Sequence, residues 1–341
     1  MDEAVEAVTM VSDSVGYGLD RPILAFGLPR SGTTWIGKLF DSHPGVLYRH
    51  EPDSWHRITG IPTFADAGDT EQVRLAREYI ERLPATCNTS ICGKRPIFNK
   101  QWRSPMSQGL YRLAIMSALL AEKLTNVHIT RIPEGDPVGS GARLVWKSIE
   151  SLGRLPLFLD AVGSARGVHI VRHPCGFIAS VLRGESRGRF RDRTPSSEDY
   201  GLFEKIVDSE TARGLGVDME TLRESTPVQR LAWKWLLYNE QAFRGCRERA
   251  GYRLVRYEDI CDEPVDRMRE LFEFCDLEWH SQTEEFILQT GRRKNDKYYS
   301  IYKNPRESAN KWRTELDEDT IRQIHDVVMR SHMGRIYGDR W

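Results

Sequence analysis

The chain has 341 residues, with 49 basic and 49 acidic side chains and a formal net charge of zero. Broad electrostatic capture of nucleic acid is therefore not expected, and any anion specificity has to be local. Hydrophobic residues make up 40% of the chain, enough for one large α/β domain or two small ones, and no Pro/Ser/Gly-rich tract, repeat or charge block marks a boundary.

Residues 1–20 form an N-terminal extension, after which Pro22-Ile23-Leu24-Ala25-Phe26 reads as a short buried strand. A glycine-rich turn follows at Gly27-Leu28-Pro29-Arg30-Ser31-Gly32, and Trp35, Ile36, Leu39 and Phe40 then fall on one face of a helix that stops at Ser42-His43-Pro44-Gly45. A strand, a tight turn and a helix N-terminus together make an anion site, because unpaired amides and the helix dipole converge on the turn. Gly27 and Gly32 have the spacing of a Walker A loop, but Thr33 stands where its lysine belongs and the cation has moved to Arg30. Further strands are predicted at Val46-Leu47-Tyr48, from Arg143, at Gly167-Val168-His169-Ile170-Val171 and from Tyr252. The fourth leads into Arg172-His173-Pro174 and a helical run from Cys175 to Arg183, with Pro174 suited to the first helical position. Ser180 then lies some 9 Å along that helix from Pro174, within reach of a forward-pointing Arg172. The run from Val228 to Phe243 reads as a core-packing helix, and strands alternating with helices favour one parallel sheet.

The loop Pro29-Arg30-Ser31-Gly32-Thr33-Thr34-Trp35 resembles the phosphosulfate loop of sulfotransferases that use 3′-phosphoadenosine 5′-phosphosulfate (PAPS). Arg172-His173-Pro174 followed by Ser180 resembles the family's second signature, which holds the 3′-phosphate. Weaker echoes are the strand ending in Tyr257-Glu258-Asp259-Ile260, where the family's tyrosine approaches the adenine, the segment Lys311-Trp312-Arg313, and the ending Ile336-Tyr337-Gly338. The resemblance covers about Pro22 to Gly338. It implies a single sulfotransferase domain over 1–341 with an α/β, P-loop-like three-layer fold, its central parallel sheet flanked by helices. It further implies PAPS as co-substrate, no metal, and a nucleotide site built from Arg30, Ser31, Gly32, Thr33, Thr34, Trp35, Arg172, Ser180, Tyr257, Lys311, Trp312 and Arg313. Within that last segment, Lys311 or Arg313 is expected near the 3′-phosphate and Trp312 in packing.

Sulfuryl transfer to a hydroxyl needs a base for the acceptor proton and positive charge on the departing phosphate. Arg30 fits the second role. In the phenol and steroid sulfotransferases the base is the histidine of a KTH segment, but the matching stretch Lys147-Ser148-Ile149 has isoleucine there. The segment Glu51-Pro52-Asp53-Ser54-Trp55 resembles the EP-x-W segment of carbohydrate sulfotransferases, which makes Glu51 the expected general base unless Arg49 or Arg57 holds it in an ion pair. His50 is the reserve, expected to point away from Glu51 if the strand continues. A sugar or alkyl hydroxyl, on a small molecule or glycan, is the expected acceptor. Competing readings are a P-loop kinase or NTPase, against which the missing lysine counts, and a nucleotide-binding module without catalysis.

Two segments, 84–108 and 184–226, read as substrate-facing insertions. The first carries Lys94, Arg95, Lys100 and Arg103, and the second Arg187, Arg189, Arg191 and Arg193. The six cysteines show no CxxC pair or histidine spacing suited to zinc. Nothing resembles a signal peptide or a membrane span of about 20 apolar residues, so the expectation is a cytoplasmic protein with reduced thiols.

Overall fold

The computed structural model describes residues 21–66, 68–125, 129, 131–186, 194–292, 304–338 and 340–341. Five strands, β1 (Ile23–Phe26), β2 (Val46–His50), β3 (Arg143–Ser148), β4 (Arg166–Val171) and β5 (Tyr252–Arg256), form one sheet in the order β2-β3-β1-β4-β5. Every pairing is parallel. This is the α/β sheet predicted from the five apolar runs.

Alternation along the strands divides the core into two layers. Leu24, Phe26, Leu47, Leu144 and Trp146 point to one face, where the Pro174–Ser186 and Pro227–Cys246 helices cover them. Ile23, Ala25, Val46, Tyr48, Val145, Val168 and Ile170 point to the other, beneath the Thr33–Asp41 and Pro264–Phe274 helices. The Pro227–Cys246 helix starts at a capping box in which Thr226 and Gln229 satisfy each other's amides, and it buries Leu231, Trp235, Leu236 and Tyr238 as expected. Because the sheet is parallel, all five carboxyl ends lie along one edge. That edge carries the loop after β1, Glu51 after β2, Ser148 at the end of β3, Arg172 after β4 and Tyr257 after β5. Ligands of open parallel sheets bind there.

Segment 84–108 does not present its basic residues as a set. Lys100 is buried, donating to the carbonyls of Asp41 at 2.5 Å and Val46 at 2.8 Å and pairing with Asp41 Oδ1 at 2.9 Å. Arg103 lies 3.5 Å above the Tyr111 ring and pairs with Glu134 at 3.6 Å. These two cations hold the framework, where sequence had them facing an acceptor. Lys94 is exposed. In segment 184–226 the arginines at 187, 189, 191 and 193 lie outside the described residues. The remainder contains the short helices Tyr200–Glu204, Glu210–Leu215 and Met219–Glu224, capped by Asp199, Ser209 and Asp218. Phe203, Ile206 and Leu222 from this segment enter the core.

Replacing Lys100 by methionine keeps most of the volume but leaves carbonyls and the Asp41 carboxylate without their buried donor. Such a change is expected to cost roughly 3 kcal/mol of stability, read as a lowered urea midpoint with an unchanged slope.

Candidate active site

The loop after β1 is held in a shape that few residues tolerate. Arg30 and Gly32 adopt left-handed backbone, with φ of 72° and 80°. A side chain at Gly32 would strike the Tyr257 ring, and one at Gly27 would strike the Ile170 carbonyl oxygen. These close approaches bring the turn down onto β4 and the segment after β5. Gly32 is also the N-cap of the Thr33–Asp41 helix and supplies no side-chain cap. The amides of the first turn thus face the loop with the positive end of the dipole behind them.

Arg172 closes the other side. It is only 7% exposed, yet its Nη1 donates to the Arg30 carbonyl at 2.9 Å and its Nη2 to the Ser308 carbonyl at 2.5 Å. Its Nε has no partner, and among the described residues no carboxylate lies within ion-pair distance. Pro174 is the first residue of the following helix, as expected. Ser180, one and a half turns into that helix, accepts from Arg30 Nε at 3.1 Å. The sequence has Arg172 and Ser180 sharing one phosphate; in the structure Arg30 donates to the serine and Arg172 to the Arg30 carbonyl, so the three polar groups lie together. The left-handed turn at Arg30 is part of this arrangement. The two predicted anion sites are thus one connected assembly.

The other residues expected at the nucleotide divide. Tyr257 is buried between Gly32 and Arg172, whose guanidinium lies 5.2 Å from its ring. Trp35 is core, packed edge-on to Tyr257. Trp312 is buried and stacks on His173 at 4.5 Å, with Arg313 lying 4.5 Å from its own ring. Arg313 donates to the Arg340 carbonyl, while Lys311 is exposed and pairs with Glu315. Tyr337, from the predicted family-like ending, donates to buried Glu258 at 3.0 Å; Glu258 also accepts from the His173 amide at 2.9 Å. The C-terminal segment is therefore tied to the second anion loop.

Across the edge, Glu51 ends β2 in a left-handed conformation, φ 49°, so strand alternation stops at His50. As a result His50 does not point away: its Nε2 lies 3.7 Å from Glu51 Oε1, and its Nδ1 meets Tyr48 Oη at 3.0 Å. Burial and the nearby Lys147 ammonium hold the His50 pKa well below its usual value, which makes it a neutral imidazole at neutral pH. The partner of Glu51 is neither Arg49 nor Arg57. Arg49 is fully buried, bonded to the Leu83 carbonyl and Glu134, and Arg57 is exposed. Glu51 Oε1 instead accepts from Lys147, which is wholly buried in β3 opposite His50. Burial lowers the Lys147 pKa, and Glu51 works against that shift. No described residue bonds Glu51 Oε2, and the side chain is 21% exposed.

Sequence reasoning singled out Lys147 but did not place it with Glu51. Its signal was a charged residue inside the apolar run Leu144-Val145-Trp146. Asp53 gave no signal: buried beside Glu51, it accepts from Ser148 and from Ser151 Oγ at 2.6 Å, partners that are 95 and 98 residues away. Cys87, Cys92 and Glu134 also come together, with ligand atoms within 4.8 Å. Arg49 donates to both Cys92 Sγ and Glu134, so a cation already occupies the polar side of that cluster.

A profile of the sulfotransferase family matches residues 22–281. The chain belongs to the sulfotransferase family. It is 23% identical over 327 residues to mouse carbohydrate sulfotransferase 3, covering 89% of this chain and 65% of that protein. Human carbohydrate sulfotransferase 6 is 24% identical over 333 residues, covering 89% of this chain and 78% of its own length. Among solved structures, the sulfotransferase domain of the Synechococcus PCC 7002 olefin synthase aligns with 90% of this chain and 95% of its own, at 17% identity and a TM-score of 0.43. The match to the mouse protein thus spans just under two thirds of its length. With the family shown, the sulfotransferase reading stands over the kinase.

His169 and His173 sit behind this site as neutral side chains. Burial lowers the first to about 4 and the second to about 3, the nearby Arg313 and Arg172 adding to the effect at His173. Below the ordinary histidine pKa the unfolded chain takes up protons that the folded chain refuses, so stability falls as pH drops from about 6.5 towards 4. Each histidine is expected to contribute up to about 1.4 kcal/mol per pH unit in that window. Urea melts across it should show this slope, reduced in His169→Gln.

Proposed function

We propose that this sulfotransferase transfers the sulfuryl group of PAPS to a hydroxyl of a carbohydrate. The observation that carries the nucleotide assignment is Arg172, a buried guanidinium whose hydrogen-bond acceptors among the described residues are carbonyls. Burying an unpaired charge is costly, and a bound phosphate supplies the missing anion. It lies beside a helix whose N-cap has no side-chain partner, so one assembly offers two anion positions. In this reading the loop amides and Arg30 take the 5′-phosphosulfate, Arg172 and Ser180 take the 3′-phosphate, and Tyr257 flanks the loop. The donor set is made of amides, hydroxyls and guanidinium groups, which suits phosphate oxygens and needs no metal bridge.

Glu51 is the proposed general base. Lys147 fixes one carboxylate oxygen and leaves Oε2 for the acceptor. The acceptor O–H proton passes to Glu51 as its oxygen bonds to sulfur; the bond from sulfur to the phosphate oxygen breaks in line, and its electron pair leaves with the phosphate. Arg30 and the loop amides receive that charge. His50, neutral and bonded to Tyr48, buttresses Glu51 rather than replacing it. The carbohydrate preference rests on the names of the relatives and on the Glu51-Pro52-Asp53-Ser54-Trp55 segment, with Trp55 half exposed beside the base. The proposal includes a cytoplasmic setting in which the six cysteines stay reduced.

Calorimetric titration with adenosine 3′,5′-bisphosphate, without metal, is expected to show binding that Arg172→Ala weakens by roughly ten- to a hundredfold, the worth of a charged hydrogen bond. Unchanged affinity in that variant, or a preference for ATP with magnesium, would overturn the nucleotide assignment. Glu51→Gln is expected to bind the bisphosphate normally and to lose about 10²- to 10⁴-fold in kcat. Full turnover in Glu51→Gln would move the base elsewhere.

A further inference from the structure

The Pro105–Thr125 helix is the longest helix among the described residues and has an unusual outer face. Its inner face, Gln108, Tyr111, Ile115 and Ala118, is buried. Of the eight large hydrophobic side chains exposed among the described residues, six belong to this one helix, and five of those, Met106, Leu110, Leu113, Leu120 and Leu124, are 58–77% exposed. A patch this concentrated marks an interaction surface, whereas scattered exposed leucines need no explanation.

The pattern names the kind of partner. Met106, Leu110, Leu113, Ser117, Leu120 and Leu124 recur at alternating intervals of four and three residues. That is the narrow seam with which one helix receives another, and it runs directly opposite Ile115. The seam is also self-complementary in the antiparallel sense. About a two-fold axis at position 115, Met106 opposes Leu124, Leu110 opposes Leu120, and Leu113 opposes Ser117, so large meets large at the ends and large meets small near the middle. An isologous interface requires this symmetry. Gly109, Ala114 and Ala121 flank the seam and let two backbones approach closely. Counting Met116, six side chains of this size offer on the order of 600 Å² per copy. Two copies together therefore bury roughly the 1,200 Å² at which specific interfaces begin. A lipid surface fits less well, because interfacial helices carry a basic polar face and the face opposite this seam is buried in the protein.

We infer that a second copy of this chain docks on the Pro105–Thr125 helix, the two helices running antiparallel in a two-fold dimer. Sedimentation equilibrium of the full chain is expected to give about twice the 39.3 kDa chain mass. The double substitution Leu110→Glu with Leu120→Glu is expected to give a monomer with unchanged circular dichroism and turnover. Should that variant fail to fold, a cysteine pair still decides. Under mild oxidation, Leu110→Cys protein mixed with Leu120→Cys protein should yield a cross-linked dimer that neither gives alone. A monomeric wild type overturns the proposal, as does a dimer that survives the double substitution. Self-cross-linking of Leu110→Cys overturns the antiparallel arrangement. Wild-type monomer that binds phosphatidylcholine or phosphatidylserine vesicles through this face would assign it to lipid instead.

Discussion

Arg172 donates one arm of its guanidinium to the Arg30 carbonyl and the other to the Ser308 carbonyl, while its own carbonyl accepts from Trp235 Nε1 at 2.9 Å. Three distant stretches of chain meet on this one residue: the loop after β1, the long Pro227–Cys246 helix and the segment before Trp312. Among the described residues this buried cation is hydrogen-bonded only to neutral oxygens, so it is held in place without a paired charge. The site inherits both properties. In the proposed nucleotide site, a guanidinium already held by two carbonyls adds little ordering cost to binding, and its residual field favours an anion.

Other buried cations have been finished by the protein itself. Lys38 is bonded to Asp41 and to the carbonyls of Lys94 and Pro96, at 2.8 and 2.7 Å for the latter two. Lys100 shares Asp41 from the other side, and burial lowers the pKa of both lysines against that carboxylate's pull. Arg49 is closed by Glu134, and Lys147 by Glu51. A chain of zero net charge thus contains, near β2 and β3, a polar layer in which charges are locally neutralised. Arg172 stands apart from this layer because, among the described residues, it is hydrogen-bonded to carbonyls and to no carboxylate.

Glu51 owes its position to a backbone that leaves the strand. Its left-handed turn costs roughly 1–3 kcal/mol for a residue with a Cβ, and the Lys147 pair, the hydrogen bond its own N–H donates to the Lys147 carbonyl at 2.8 Å and the Pro52 helix start hold it there. Arg30, the cation proposed to receive the departing phosphate's charge, is held in the same kind of turn. The two residues with the most demanding proposed roles thus occupy strained backbone, and the surrounding packing enforces both.

The sequence alone was enough for the five strands, the parallel α/β arrangement and the turns that follow β1 and β4. These rest on local patterns: apolar runs of strand length, glycines and prolines at turns, and a proline at a helix start. Glu51 was legible too, through the segment that follows it. Tertiary structure decided the pairings. Nothing local says that Arg30 meets Ser180, 150 residues away, or that Lys147 meets Glu51, 96 residues away. The segment 84–108 illustrates the same division, since its basic residues were visible but only the fold shows Lys100 closing carbonyls in the framework. Periodicity reports which face of an element is buried. Which charge neutralises which depends on strand order and on the turns at Arg30 and Glu51, and those emerge only when the sheet assembles.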